Sequence, residues 1–243
     1  MTKLYLPWLT GTVSAEITVS KEDYLKAIIE AESEGHVVIP ALLAQWLDVS
    51  PPAVTNAVKR LRQDGYIDAH RGDTLKLTQK GRDAAHRTAL RHHLVERMLT
   101  EIFGMEWHQV HAEAERLEHA ISPVFEAKLI EKLGETGDCP HGNSVLPLTP
   151  VQMKKRGLQT LSDAPEGVDY VVASLYERDA RLLEFLHQIG IGPRVPIRVL
   201  QRNYDETVVV QTPSGPVTVG KSAASRVWVR PKSASEPKRS KIK

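Results

Sequence analysis

The main change in apolar spacing along this chain limits what it can fold into. As far as Gly134, apart from a short strand-like pair at 66–77, apolar residues recur every three or four positions, as on one face of a helix. From residue 168 to 231 they fall in short alternating runs, as in strands. Between the two lies a stretch, 134–167, broken by Gly, Pro and Asp. A mainly helical protein with a smaller β-rich part is expected, and 243 residues give room for two or three small domains. One cysteine, Cys139, excludes a disulfide within the chain and a zinc site made of cysteines alone. The formal net charge of +2 decides nothing about nucleic acid, because a local basic face suffices. No apolar run approaches the ~18 residues of a membrane helix, and the first twenty residues do not read as a signal peptide, so the cytoplasm is the expected location.

Three helices are expected first. One begins at Ser20 and buries Tyr24, Leu25, Ile28 and Ile29. A second spans Pro40 to Leu47, with Pro40 in its first turn. A third is capped by Ser50, opens with Pro51 and Pro52, and runs to Gln63 with Val54, Val58 and Leu61 inward. Tyr66-Ile67 and Leu75-Lys76-Leu77 read as two strands around a turn at Arg71-Gly72-Asp73. Three helices and a two-stranded ribbon are the order of a winged helix-turn-helix. A long helix from Gln79 to Ile102, another from Trp107 to Ala120, and one from Ser122-Pro123 to Gly134 follow. The last part offers one helix, Asp179 to Ile189, among short strands, the pattern of an SH3-like β-barrel. The tail after residue 231 is polar and basic and is expected to be disordered.

In a winged helix the third helix presents polar side chains to the major groove. Here Ser50, Pro52, Thr55 and Asn56 lie near its start. Asn pairs with adenine edges, Ser and Thr donate and accept, and Pro touches a thymine methyl. Arg60 is placed to reach phosphate, and Arg71 at the wing tip to reach the minor groove or backbone.

A second constellation is rich in His and Glu. On one straight helix, at about 100° per residue, His111, Glu115, Glu118 and His119 fall within about 100° of one another. His92 and Glu96 form an i,i+4 pair on the preceding helix. Carboxylates and imidazoles without sulfur suit Mn2+, Fe2+, Co2+ or Zn2+. The same spacing also makes solvated polar faces, so the pattern leaves both open. A ferritin-like di-metal enzyme uses similar pairs but needs four long ligand-bearing helices, and this chain spends its length otherwise.

The segments Glu22-Asp23-Tyr24-Leu25, Val49-Ser50-Pro51-Pro52-Ala53-Val54-Thr55, Leu77-Thr78-Gln79-Lys80-Gly81-Arg82, Arg91-His92-His93-Leu94-Val95-Glu96-Arg97 and the run from Val110 to His119 together resemble the diphtheria toxin repressor family of iron- and manganese-dependent regulators. The loop Cys139-Pro140-His141-Gly142-Asn143 is similar too. The resemblance implies residues 1–86 as a lead-in and winged helix-turn-helix domain, 87–155 as a helical metal-binding and dimerisation domain, 165–231 as an SH3-like (FeoA-like) domain, and 232–243 as the tail.

It also implies two metal sites per chain. The primary set would be Asp23, Glu115, Glu118 and His119. The ancillary set would be His92, Glu96 and His111, joined by a carboxylate of the third domain, with Glu177 the best match and Asp179 the fallback. Carboxylates at Asp23 and Glu115, where iron-type members often carry sulfur, favour Mn2+, with Fe2+ as the other candidate. Where two-domain manganese-type members carry a Glu three positions after Asp23, this chain has Lys26, which argues for two separate sites over a bridged pair. Cys139, His93, His108 and His141 read as structural or incidental. The implied function is a homodimer that represses metal-uptake genes by binding a palindromic operator. An Fe2+-responsive regulator or a metal-dependent activator of the same fold is the alternative. No enzyme activity, small-molecule substrate or membrane partner is expected.

Overall fold

The structure is a computed structural model, and it describes residues 18–68, 74–145 and 148–232. These residues form two compact units. The first takes the described residues of 1–95, 114–137 and 145–150; the second takes 96–113, 138–144 and those of 151–243.

The first unit opens with α1 (Val19–Ser33), α2 (Pro40–Trp46) and α3 (Pro51–Gln63). Pro40 starts α2 where a missing amide costs nothing. Asp48 makes the turn between α2 and α3 at φ 50°, and Ser50 then caps α3 by accepting from the Ala53 amide. Leu25, Ile28, Leu43, Val54, Leu61, Ile67 and Leu75 are almost wholly buried in one core. Lys21 pairs with Asp64 at 2.7 Å, tying α1 to the end of α3. The expected ribbon is reduced, among the described residues, to an isolated antiparallel bridge between Ile67 and Leu77. The wing tip with Arg71 lies outside the described residues, as do the lead-in 1–17 and the tail from 233.

The long helix α4 (Gln79–Glu101) starts where the sequence places it. Thr78 caps it by accepting from the Gly81 amide and donates to the Gly65 carbonyl at 2.7 Å. The helix expected from Trp107 to Ala120 is shorter and changes pitch. Residues 107–109 form a turn, α5 covers Val110–Leu117, and Glu118–Ala120 continue as a 3-10 turn. Trp107 leaves the helix line because its ring packs on the core of the second unit. Next comes α6 (Pro123–Leu133), with Ser122 as its cap.

The second unit is built on one antiparallel sheet in the order β1-β6-β2-β3-β4-β5. Its strands are β1 (Gln159–Thr160), β2 (Asp169–Leu175), β3 (Pro196–Arg202), β4 (Val208–Thr212), β5 (Gly215–Val219) and β6 (Val227–Pro231). The register shifts at Val172/Ser174 and at Val199/Gln201, which adds twist. The helix α8 (Ala180–Gln188) buries Leu182, Leu183 and Leu186 against the same core as Tyr170, Val172, Val199 and Val210. Two short elements, α7 (Pro150–Lys155) and β1, lie in the stretch that the sequence gives to loop. They are too brief to set up a period. The last helix, α9 (Lys221–Ala224), precedes β6. Among the described residues no helix is long and apolar enough to cross a membrane.

A Cβ at Gly81 would lie 2.0 Å from the Tyr66 carbonyl oxygen. Gly81→Ala is therefore expected to destabilise the chain by about 1–3 kcal/mol, the range for overpacking a tight contact. Chemical denaturation reads this, and an unchanged midpoint would mean that the Tyr66 backbone yields freely.

Candidate metal centre

Two clusters of titratable side chains stand out. The first is centred on His119. Its Nε2 lies 2.9 Å from Asp23 Oδ1 and 3.3 Å from Glu118 Oε1, and its Nδ1 lies 2.8 Å from Glu22 Oε2. One ligand atom from each of Asp23, Glu118 and His119 falls within 4.8 Å of the others. Asp23 comes from α1, and the other two from the 3-10 turn after α5. Glu118 is buried at 2% exposure, with His92 Nδ1 2.6 Å from its Oε2. Lys26, itself 6% exposed, donates to both Glu118 oxygens at 3.0 and 2.8 Å and sits 3.1 Å from His92 Nδ1. Glu115 is exposed and does not belong to this close group. Glu115 and Glu118 are one turn apart, yet Glu118 is buried and Glu115 is exposed. Glu22 orients His119 from behind, a role that sequence reasoning missed because its signal is only adjacency to Asp23.

The second cluster belongs to the second unit. Glu96 Oε1 lies 3.1 Å from His111 Nδ1 and 3.4 Å from His141 Nδ1. Glu177 Oε2 lies 3.4 Å from the same His141 nitrogen and accepts from Cys139 Sγ at 3.5 Å. Ligand atoms of His93, Glu96, Cys139 and Glu177 gather within 4.8 Å of one another, so His93, set aside in the sequence, belongs to this cluster. A tight hairpin delivers Cys139 and His141: the Cys139 amide donates to the Asn143 carbonyl and the Gly142 amide to the Cys139 carbonyl, both at 2.8 Å. It docks on β2, where the Leu175 amide donates to the His141 carbonyl. Gly142, at φ 86°, is required there, because a Cβ would lie 2.0 Å from the Ala173 carbonyl oxygen. Sequence reasoning set Cys139 and His141 aside; their two-residue spacing before a turn glycine was the available signal. Asp179 lies elsewhere, capping α8 through the Leu182 amide and pairing with Arg226 at 2.8 Å. His92, one turn before Glu96 on α4, places its Nδ1 beside Glu118 and Lys26, and ligand atoms of His92, Glu96 and His111 also fall within 4.8 Å of one another, so the structure brings the expected ancillary trio together.

On α3, Ser50, Pro52, Thr55, Asn56 and Arg60 are all exposed, opposite the buried Val54, Val58 and Leu61. Thr55 donates back to the Pro51 carbonyl at 3.0 Å. An open groove of about 400 Å3 is lined by Ser20, Asp23 and Tyr24 of α1 and by Asn56 and Arg60 of α3, among others. Asp23 thus faces both the first cluster and the helix that carries the polar face.

Comparisons with known proteins agree along the chain. Residues 16–73 match the N-terminal DNA-binding domain of iron-dependent repressors, 78–147 their metal-binding and dimerisation domain, and 159–231 the FeoA domain. The iron-dependent repressor IdeR of Mycobacterium tuberculosis is 33% identical over 215 residues, covering 84% of this chain and 89% of that protein. The chain belongs to the iron-dependent repressor family. The diphtheria toxin repressor of Corynebacterium diphtheriae is 35% identical over 130 residues, 54% of this chain and 58% of that one. Among solved structures, a manganese-dependent transcriptional repressor in complex with manganese superposes with a TM-score of 0.75 at 30% identity, covering 87% of this chain and 99% of that one.

The donors of this iron-dependent repressor family member fit a divalent cation. Burial raises the Asp23 carboxyl above its usual range, only partly offset by His119. Burial also opposes the Glu118 carboxylate, yet the hydrogen bond from His92 and the charge of Lys26 hold it below the usual range. The Lys26 ammonium is disfavoured by burial but held by the charges of Glu30 and Glu118, so its proton is bound more tightly than usual. In the second cluster burial opposes a charged His141, but Glu96 and Glu177 raise it to about 10. Glu177 is held well below the usual carboxylate range: burial and Glu96 oppose its charge, and His141 prevails. Burial, Glu177 and Glu96 push the Cys139 thiol well up. Each cluster thus carries one internal cation among carboxylates, a setting that accepts further positive charge at its remaining oxygens.

Lys26→Met removes the ammonium beside the buried Glu118 and leaves it only imidazole partners. In chelator it is expected to lose about 3–5 kcal/mol of stability, and Mn2+ should recover more in the variant than in the parent chain. Equal unfolding midpoints in chelator would remove Lys26 from this role. His141 titrates higher in the folded chain, at about 10, than its ordinary 6.5. Its stabilisation is therefore complete below pH 6.5 and is lost as pH rises through 10. Urea midpoints of the metal-free chain should fall across that window and fall less in His141→Gln; parallel curves would contradict the ion cluster.

Proposed function

We propose that this chain is a homodimeric, metal-dependent transcriptional repressor that binds operator DNA, with Mn2+ as its preferred corepressor. The observation that carries the reading is the origin of the first cluster: Asp23 belongs to the helix that packs beneath the polar face of α3, while Glu118 and His119 belong to the turn after α5. A cation there supplies positive charge shared by both segments. The charge attracts Asp23 and Glu118 to a common point and limits the freedom of α1 relative to that turn. Metal and DNA then favour the same arrangement, so each tightens the other by one factor. Relatives named iron-dependent repressors and a structure named a manganese-dependent repressor support this.

The proposed first site uses Asp23, Glu118 and His119, with Glu22 holding the imidazole, His92 hydrogen-bonded to Glu118, and Glu115 as a peripheral acid. Lys26 leaves room for one ion there. The proposed second site uses His92, Glu96, His111, Glu177 and Cys139, with His141 joining as a ligand only once it releases its proton. Its sulfur is a specific observation favouring a second reading, in which Fe2+ or another softer ion fills that cluster. Leu117, Val124 and Phe125 are exposed apolar residues within 114–137 and fit a face covered by a second copy. Two copies in the cytoplasm would read a palindrome upstream of metal-uptake genes, their α3 helices about 34 Å apart.

Selection from a duplex library at fixed salt, in chelator and then in Mn2+, Fe2+ or Zn2+, tests this. A palindrome should be selected only with metal, and Glu118→Gln should abolish the selection. Asn56→Ala should relax preference at one base, and Arg60→Ala should weaken all sequences alike. Selection indifferent to metal would defeat the reading.

A further inference from the structure

A third group of ligand-type side chains lies in the second unit, apart from both clusters. It is carried by the turn before α5 and by α8. The Gln109 amide donates to the Glu106 carbonyl at 3.0 Å and closes the turn, so Glu106 and His108 flank Trp107. Trp107 packs on the core of the sheet, with its ring 3.4 Å from where a Cβ at Gly192 would stand. That contact pins the turn. On α8, Glu184 and His187 are three residues apart and share a face.

These elements meet at His108. Its ring stacks on His187 with centroids 3.9 Å apart and 21° between planes. His108 Nε2 lies 3.2 Å from Glu184 Oε2, its side chain is 5% exposed, and its buried Nδ1 has no hydrogen-bond partner. A buried polar nitrogen without a partner is costly and calls for a physical reason. Ligand atoms of Glu106, His108 and His187 fall within 4.8 Å of one another.

We propose that Glu106, His108 and His187 bind a third divalent cation. Two imidazoles and one carboxylate suit imidazole-preferring ions such as Zn2+, Co2+ or Ni2+ better than Mn2+, which favours oxygen. Glu184, held on one nitrogen of His108, orients the ring, as partners beyond the ligand shell do for metal-bound histidines. Glu106 and His187 are exposed, so water completes the coordination and the ion exchanges readily. The site also joins the turn before α5 to α8 within one unit. It does not depend on the two inner clusters or on DNA binding.

The test is equilibrium dialysis of the full chain against Zn2+, with metal content read per chain, for the parent, His187→Asn and Glu106→Gln. Both substitutions are at exposed positions, so the fold is spared. Each variant is expected to hold one Zn2+ fewer than the parent, while Mn2+ content and metal-dependent DNA binding stay unchanged. Imidazole NMR signals of His108 and His187 should shift together with Zn2+ in the parent. Equal Zn2+ content in all three proteins would overturn the proposal. So would a loss confined to His187→Asn, which would mean an ion held by one exposed imidazole.

Discussion

Buried carboxylates need positive charge beside them, and that requirement organises this protein. Glu118 is nearly inaccessible and would be costly as a lone anion. Lys26 reaches it from α1 with an ammonium shared between both oxygens, and His92 approaches from α4. Three elements far apart in sequence are therefore held at one point by charge as well as by apolar packing. The same logic recurs around His141, which is charged between Glu96 and Glu177.

This arrangement explains how a repressor of this family can be poised without being locked. In each cluster an internal cation opposes the mutual repulsion of the acidic groups. The groups still offer oxygens and imidazoles toward a common point. The two frames differ in softness. Around His119 the donors are oxygen and nitrogen; around Glu177 a thiol joins them. Donor sets that differ in this way suit ions of different softness.

Much of the fold was legible because its signals are local. Ser50-Pro51-Pro52 fixes the start of α3, and the stripe of Val54, Val58 and Leu61 fixes its inward face. Thr78 and Gly81 mark the start of α4. The pitch change at Glu118 was not legible, since nothing in the spacing of His111, Glu115, Glu118 and His119 distinguishes an α-turn from a 3-10 turn. Nor does the spacing tell that Glu118 is buried and Glu115 exposed. Trp107 was equally opaque: its place outside α5 follows from a pocket beside Gly192, far along the chain.

The sequence by itself determined the elements, their caps and the kinds of donor available, because helical and strand periods, N-caps and turn glycines act over a few residues. Tertiary structure decided which donors meet. Cys139 and Glu177 are 38 positions apart, and Lys26 and Glu118 are 92 apart. No local pattern records such pairings. They arise because burying the apolar faces brings the polar edges of separate elements together, and only charges that find partners there can remain.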